Sequence, residues 1–149
     1  MIEVPILNAA PPDTGQSPTL TFADLRYGLL FGFADDSCIF QFVMPDTYQE
    51  GSVRFSIGFY SSAGSLSHTF GVSFQKLPEG SDLTSFSFGT QKTGTKLTTA
   101  SGTYYILTID LDVDDLDNIT PNTLCRVKLK LVTSTGTPIV TNIVLTNVP

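Results

Sequence analysis

The chain has no tryptophan, one histidine and two cysteines among its 149 residues. Each scarcity excludes something. Without indole rings, any surface that stacks flat ligands must be built from Tyr or Phe. His68 is the sole histidine, and triad or metal chemistry needs histidine with positioned partners. No nucleophile elbow, phosphate-binding glycine loop, dinucleotide fingerprint or CxxC pair occurs in the sequence. Neither enzymatic chemistry nor a cofactor is therefore expected. The N-terminal "MIEVPILNAAPPD" lacks the basic start and long apolar core of a secretory signal. A chain of this size holds a core without a staple. Cys38 and Cys125 accordingly read as two buried thiols on separate strands, not as a disulfide. No apolar stretch approaches the roughly 20 residues that span a bilayer. Lys and Arg number 8 against 14 Asp and Glu, giving a net charge of −6 and a pI of about 4.4. Duplex binding depends on neutralising phosphates with basic side chains, so nucleic acid is not an expected partner, and neither is a membrane.

What the sequence does have is period-two alternation. Only 15% of residues are charged, and Ser and Thr carry much of the polarity, as suits pleated surfaces. From Leu20 onward, apolar residues alternate with small or polar ones. "YGLLFGF" aligns Tyr27, Leu29, Phe31 and Phe33. "CIFQFVM" aligns Cys38, Phe40, Phe42 and Met44. "SVRFSIGFY" aligns Val53, Phe55, Ile57 and Phe59. "HTFGVSF", "SFSFG", "TYYILTIDL", "LCRVKLKLV" and "PIVTNIVLT" continue the pattern, as half-buried strands do. Turn-rich clusters such as "MPDTYQEGS", "SSAGSLS", "KLPEGSD", "TGTK" and "TSTGTP" separate them. The pattern predicts an all-β fold, an antiparallel β-sandwich or jelly roll of about eight strands spanning residues 19–149 as one domain. The best helical candidate is a single turn around Asp114 to Asn118.

Residues 1–18 differ. They hold four of the nine prolines and no sustained period, and so read as an extended arm. The arm carries an apolar patch of Val4, Ile6 and Leu7. Such a segment becomes ordered when it is pinned, on its own domain or on a neighbour.

Two charge runs stand out. "DLDVDDLDN" places Asp110, Asp112 and Asp114 at the first, third and fifth positions of a calcium loop. An EF-hand then needs Gly and, at the twelfth position, Glu; the chain has Asp115 and Pro121 there. An irregular calcium site stays open, against a solvated loop end. Parity with Ile109 and Leu111 puts Asp110 and Asp112 on the outer face of a strand. Paired catalytic carboxylates are not expected, because Glu50 and Glu79 sit beside turn glycines. "RVKLK" projects Arg126, Lys128 and Lys130 to one face. It reads as an edge strand guarded by charge or as a patch that meets Asp114 and Asp115 of a second subunit. His68 shares parity with Phe70 and Val72 and reads as a rim or core-edge side chain. "NIT" at Asn118 fits a glycosylation sequon but is followed by Pro121.

The stretch from Phe33 to Gly80 has a recurrent plan: Phe33, Asp35 and Asp36; a Phe-rich strand with Phe40 and Phe42; Met44 and Pro45; an acidic turn with Asp46, Tyr48 and Gly51; then a strand reaching Phe59 before a Ser/Gly loop. Over residues 25–132 it resembles β-sandwich domains of tailed-phage virion proteins. That resemblance implies a structural role, best matched by a capsid decoration (cement) protein. It would be a homotrimer on the capsid surface of a virion, bound to the major capsid protein, with the arm and oligomer contacts as the tie. The contact residues would be Val4, Ile6, Leu7, Arg126, Lys128, Lys130, Asp114 and Asp115, with no metal. The alternative is a carbohydrate- or receptor-binding module of a phage tail or fibre, with Tyr48, Tyr60 and Tyr104 as candidate stacking rings. A calcium-dependent adhesion domain is the third reading.

Overall fold

The structure is a computed structural model that describes residues 1–4, 9–12, 15–23 and 26–148; along 21–27 only backbone is described. The described residues form ten strands: β1 (Ile2–Val4), β2 (Thr19–Ala23), β3 (Arg26–Leu30), β4 (Ser37–Val43), β5 (Val53–Ser61), β6 (Leu66–Leu77), β7 (Lys92–Thr98), β8 (Tyr104–Leu111), β9 (Leu124–Ser134) and β10 (Pro138–Asn147). They form two antiparallel sheets. The first runs β2-β3-β10-β5-β8, with β1 added to β10, and the second runs β4-β9-β6-β7. No helix occurs among the described residues. The fold is thus the all-β sandwich that the alternation predicts, with ten strands in place of about eight.

The alternating side chains explain the packing. In β5, Val53, Phe55, Ile57 and Phe59 point inward and are fully or almost fully buried. Facing them from β6 and β9 are Phe70, Val72, Phe74, Val127 and Leu129. Rings interlock across the gap between the sheets. Phe31 meets Phe70 edge-on at 5.5 Å, Phe55 meets Phe74 at 6.4 Å, and Phe59 meets His68 at 5.4 Å. Such edge-to-face pairs add to plain area burial. Truncating one of these phenylalanines to Ala is expected to cost about 3–5 kcal/mol.

The described parts of the arm lie on their own domain. β1 pairs with the C-terminal half of β10, Ile2 opposite Leu145 and Val4 opposite Ile143, and Val4 is buried in the core. Further along, Ala10 forms a two-bond bridge with Ile39 at the free edge of β4, and the Ser37 N–H donates to the Gln16 carbonyl at 2.8 Å. The arm therefore passes from the first sheet to the second and covers an edge that would otherwise be open. Ile6 and Leu7 lie outside the described residues.

Several local expectations differ. "SFSFG" is not a strand; β7 is "KTGTKLT" instead. Phe33 is not on a core face but stands 70% exposed in the turn after β3. His68 is not at the rim: it is fully buried, with Nδ1 2.7 Å from Ser134 Oγ. Both cysteines are free and buried, and burial pushes each thiol up to about 12. The turn at Asp112–Asn118 is compact, with the Leu116 N–H bonded to the Asp112 carbonyl at 3.1 Å, but it does not propagate into a helix.

Candidate functional site

The two charge runs are largely consumed inside the fold. Asp110 pairs with Arg54 across β5 and β8. Asp112 and Asp115 cap each other: each carboxylate accepts the other's backbone N–H at 3.0 Å. This lowers the pKa of Asp112, the Asp115 N–H being the main cause. Asp115 is 6% exposed and also meets Lys92 Nζ at 3.2 Å. Asp117 Oδ2 accepts the Lys76 N–H. Asp114 stays exposed. No group of three or more His, Cys, Asp or Glu side chains is arranged to hold a metal among the described residues.

The basic run likewise differs from its sequence reading. β9 is an inner strand between β4 and β6, not an edge. Arg126 is 7% exposed. Its guanidinium donates to Gln41 Oε1 and to the carbonyls of Ser85 and Leu83, the last at 2.6 Å. The segment that follows β6 is thereby drawn over the outer face of the second sheet. Phe86 sits 4.7 Å from the Arg126 guanidinium carbon and Phe88 5.7 Å from Lys128 Nζ. Lys130 is half-buried and pairs with Asp35 at 2.8 Å. Beside this strap, Ala10, Pro11, Ile39, Gln41 and Phe86 line an open groove of about 400 Å³.

The outer face of the first sheet has a different character. Residues of alternate parity on β5, β8 and β10 line it. Of the three sequence-nominated rings, Tyr48 is buried and hydrogen-bonded to Gly51, and Tyr60 is 8% exposed. Tyr104 alone presents itself, 45% exposed. Its position follows from the register. Tyr104 starts β8, Gly58 lies on β5, and Asn142 lies opposite Gly58 on β10, just after a bulge at Thr141. The Tyr104 hydroxyl donates to Asn142 Oδ1 at 2.9 Å. To reach it, the side chain must lie across β5 along the sheet. Gly58 permits this, because any Cβ there would collide with Tyr104 Oη and Asn142 Oδ1. Thr141 Oγ1 also donates to Asn142 Oδ1, at 3.0 Å. The Asn142 carbonyl oxygen is thus engaged, and its Nδ2 has no partner among the described residues. Ile106, 48% exposed, and Thr108 extend the surface along β8.

Six residues beyond Tyr104 on β8, Asp110 meets Arg54 through two bonds, 2.7 Å to Nε and 3.0 Å to Nη2. That contact holds the Asp110 carboxyl below its ordinary pKa and raises that of Arg54. An aromatic ring held along a sheet, with an amide donor beside it, can stack on a ring-shaped ligand and bond one of its oxygens. The groove beside Arg126 offers a ring too, but each nitrogen of the Arg126 guanidinium already donates one bond within the fold. Sequence parity nominates Tyr104. Asn142 and Gly58 escape sequence reading, because their role depends on which strands become neighbours.

The fold belongs to the jelly-roll class of β-sandwiches. No family model and no curated protein matches the sequence. Solved structures do match, along nearly the whole chain. The CBM35 of Cellvibrio japonicus Abf62 aligns with a TM-score of 0.59 at 14% identity, covering 99% of this chain and 95% of that one. The CBM22-2 xylan-binding domain of Paenibacillus barcinonensis Xyn10C gives 0.56 at 12% identity, covering 99% of each. The xylan-binding module CBM15 gives 0.56 at 15% identity, covering 97% and 94%. These likenesses show the fold: this chain shares the two-sheet jelly-roll architecture of those three domains.

Proposed function

We propose that the chain is a non-catalytic carbohydrate-binding domain that holds a glycan on the outer face of its first sheet. The observation that carries the reading is Tyr104, laid across Gly58 and tied to Asn142, with the Asn142 amide donor left for a ligand oxygen. A whole-length likeness to modules described as xylan-binding supports it. The described arm contributes β1 and the bridge at Ile39 to its own domain. Capsid binding, trimer assembly and a place on a virion rest on the sequence resemblance alone and receive no support from the solved structures reported above.

Glycan arrays followed by calorimetry test the proposal. Ring stacking contributes about 0.5–1.5 kcal/mol, so Tyr104→Ala is expected to weaken binding roughly two- to tenfold. Its melting temperature should hold, because the ring is surface-exposed. An array without hits, or a Tyr104→Ala variant with unchanged affinity, would refute the assignment.

A further inference from the structure

The face around Tyr104 has a charge inventory that the glycan reading does not use. Glu3 projects outward from β1, between Ile2 and the buried Val4. Arg54 and Asp110 project outward from β5 and β8, directly opposite each other. Among the described side chains of this face, Arg54 is the one cation, and both of its bonded nitrogens are committed to Asp110. The pair is open to solvent, with side-chain exposures of 47% and 55%, so a ligand on the face can reach it. Asp110 is six residue steps along β8 from Tyr104, roughly 20 Å at about 3.4 Å per residue. An extended glycan stacked on Tyr104 and running along β8 would arrive at the pair.

A carboxylate-bearing sugar there would need a free guanidinium, since planar two-bond recognition of carboxylates is what arginine supplies. Asp110 already occupies the Nε–Nη2 edge and cancels the charge, so a carboxylate approaching the remaining Nη1 edge would meet a neutral pair with a second carboxylate beside it. The chain as a whole carries a net charge of −6, which disfavours an anionic ligand.

We propose that Asp110 determines the charge class of the ligand: by occupying Arg54 in a two-bond pair, it restricts the face to uncharged glycan chains. This rests on the glycan reading above. Without Asp110, the same arginine becomes a receptor for uronic acid.

Affinity electrophoresis and calorimetry at low ionic strength, with neutral xylan, a neutral β-glucan and polygalacturonate as probes, test this. The wild-type protein should bind a neutral polymer and leave polygalacturonate unbound. Asp110→Asn should raise the ratio of polygalacturonate to neutral-polymer affinity about fivefold or more. The gain should vanish at high salt and in the double variant Arg54→Gln/Asp110→Asn. Circular dichroism and melting check that each variant is folded, and the wild-type comparison stands without any variant. Wild-type binding of polygalacturonate as tight as that of the neutral polymers overturns the inference alone. So does an Asp110→Asn ratio equal to wild type, or a gain that survives loss of Arg54. Wild-type protein that binds none of the three polymers overturns the glycan reading and the inference with it.

Discussion

A single methyl group at position 58 would disturb the candidate site. The Tyr104 hydroxyl and the Asn142 side chain occupy the space that a Cβ would take. Gly58→Ala is expected to lower stability by about 1–3 kcal/mol, as overpacking does, and to weaken glycan binding at the same time. Thermal melting and calorimetry on one preparation read both. His68 gives a second residue-scale prediction. Its Nδ1 bonds Ser134 Oγ, that hydroxyl donates to the Gly136 carbonyl, and Nε2 is buried without a partner. Nδ1 must then be the protonated nitrogen, and a second proton would go to the buried Nε2. Burial lowers the His68 pKa below its ordinary 6.5. As pH falls below that value, the unfolded chain takes up protons before the folded one does. Stability contributed by neutral His68 is therefore complete above about pH 6.5 and lost on acidification toward its folded pKa. His68 is the only histidine. The melting temperature should fall as the pH drops below about 6.5 in the wild type, and stay level across the same step in His68→Phe.

At the scale of elements, the strap over the second sheet hangs on Arg126. Removing its three hydrogen bonds leaves the Leu83 carbonyl without its donor and the Ser85 carbonyl with Gln75 Nε2 alone. Arg126→Ala should cost about 2–3 kcal/mol and speed proteolysis within residues 81–91. Limited proteolysis with mass mapping would show the site of cutting, and a cutting pattern equal to wild type would exclude the strap role. The same elements mark where sequence reading reached its limit. β5, β8 and β9 each bury one side in the core, so their period of two was legible. β7 was not: the residues on its inner side are Lys92, Gly94, Lys96 and Thr98, which lie beside β8 at the edge of the sandwich. Gly94 makes room there for Leu107 and Ile109. Phe86 and Phe88 mimic a strand because both turn toward one row of cations, Arg126 and Lys128, on an outer face. Apolar alternation reports contact with a surface, not which surface. For the same reason Tyr104 could be placed outside by parity, whereas Asn142 needed the bulge at Thr141 and the β5–β10 register.

For the whole molecule, cohesion comes from packing and pairing, with no covalent staple. Cys38 and Cys125 are separate thiols on adjacent strands. Adding a reductant should leave the melting temperature unchanged, and a fall on reduction would reveal a bond that the fold does not contain. The arm should matter more. Deleting residues 1–4 removes a strand from β10 and Val4 from the core. A loss of about 2–4 kcal/mol is expected from the buried valine and its ladder bonds, measurable by denaturant titration.

The place of β10 has a kinetic consequence. β10 lies inside the first sheet, with β5 along one side and β3 and β1 along the other. Until Pro138–Asn147 is synthesised, the earlier strands of that sheet lack the partner that joins them. Ladder closure must then wait for that strand and must bring together residues as distant as Ile2 and Leu145. Topologies dominated by such remote pairings fold slowly. A ribosome-stalled chain ending before Pro138 should remain protease-sensitive, and exposure of a chain extended through Asn147 should trigger the cooperative step.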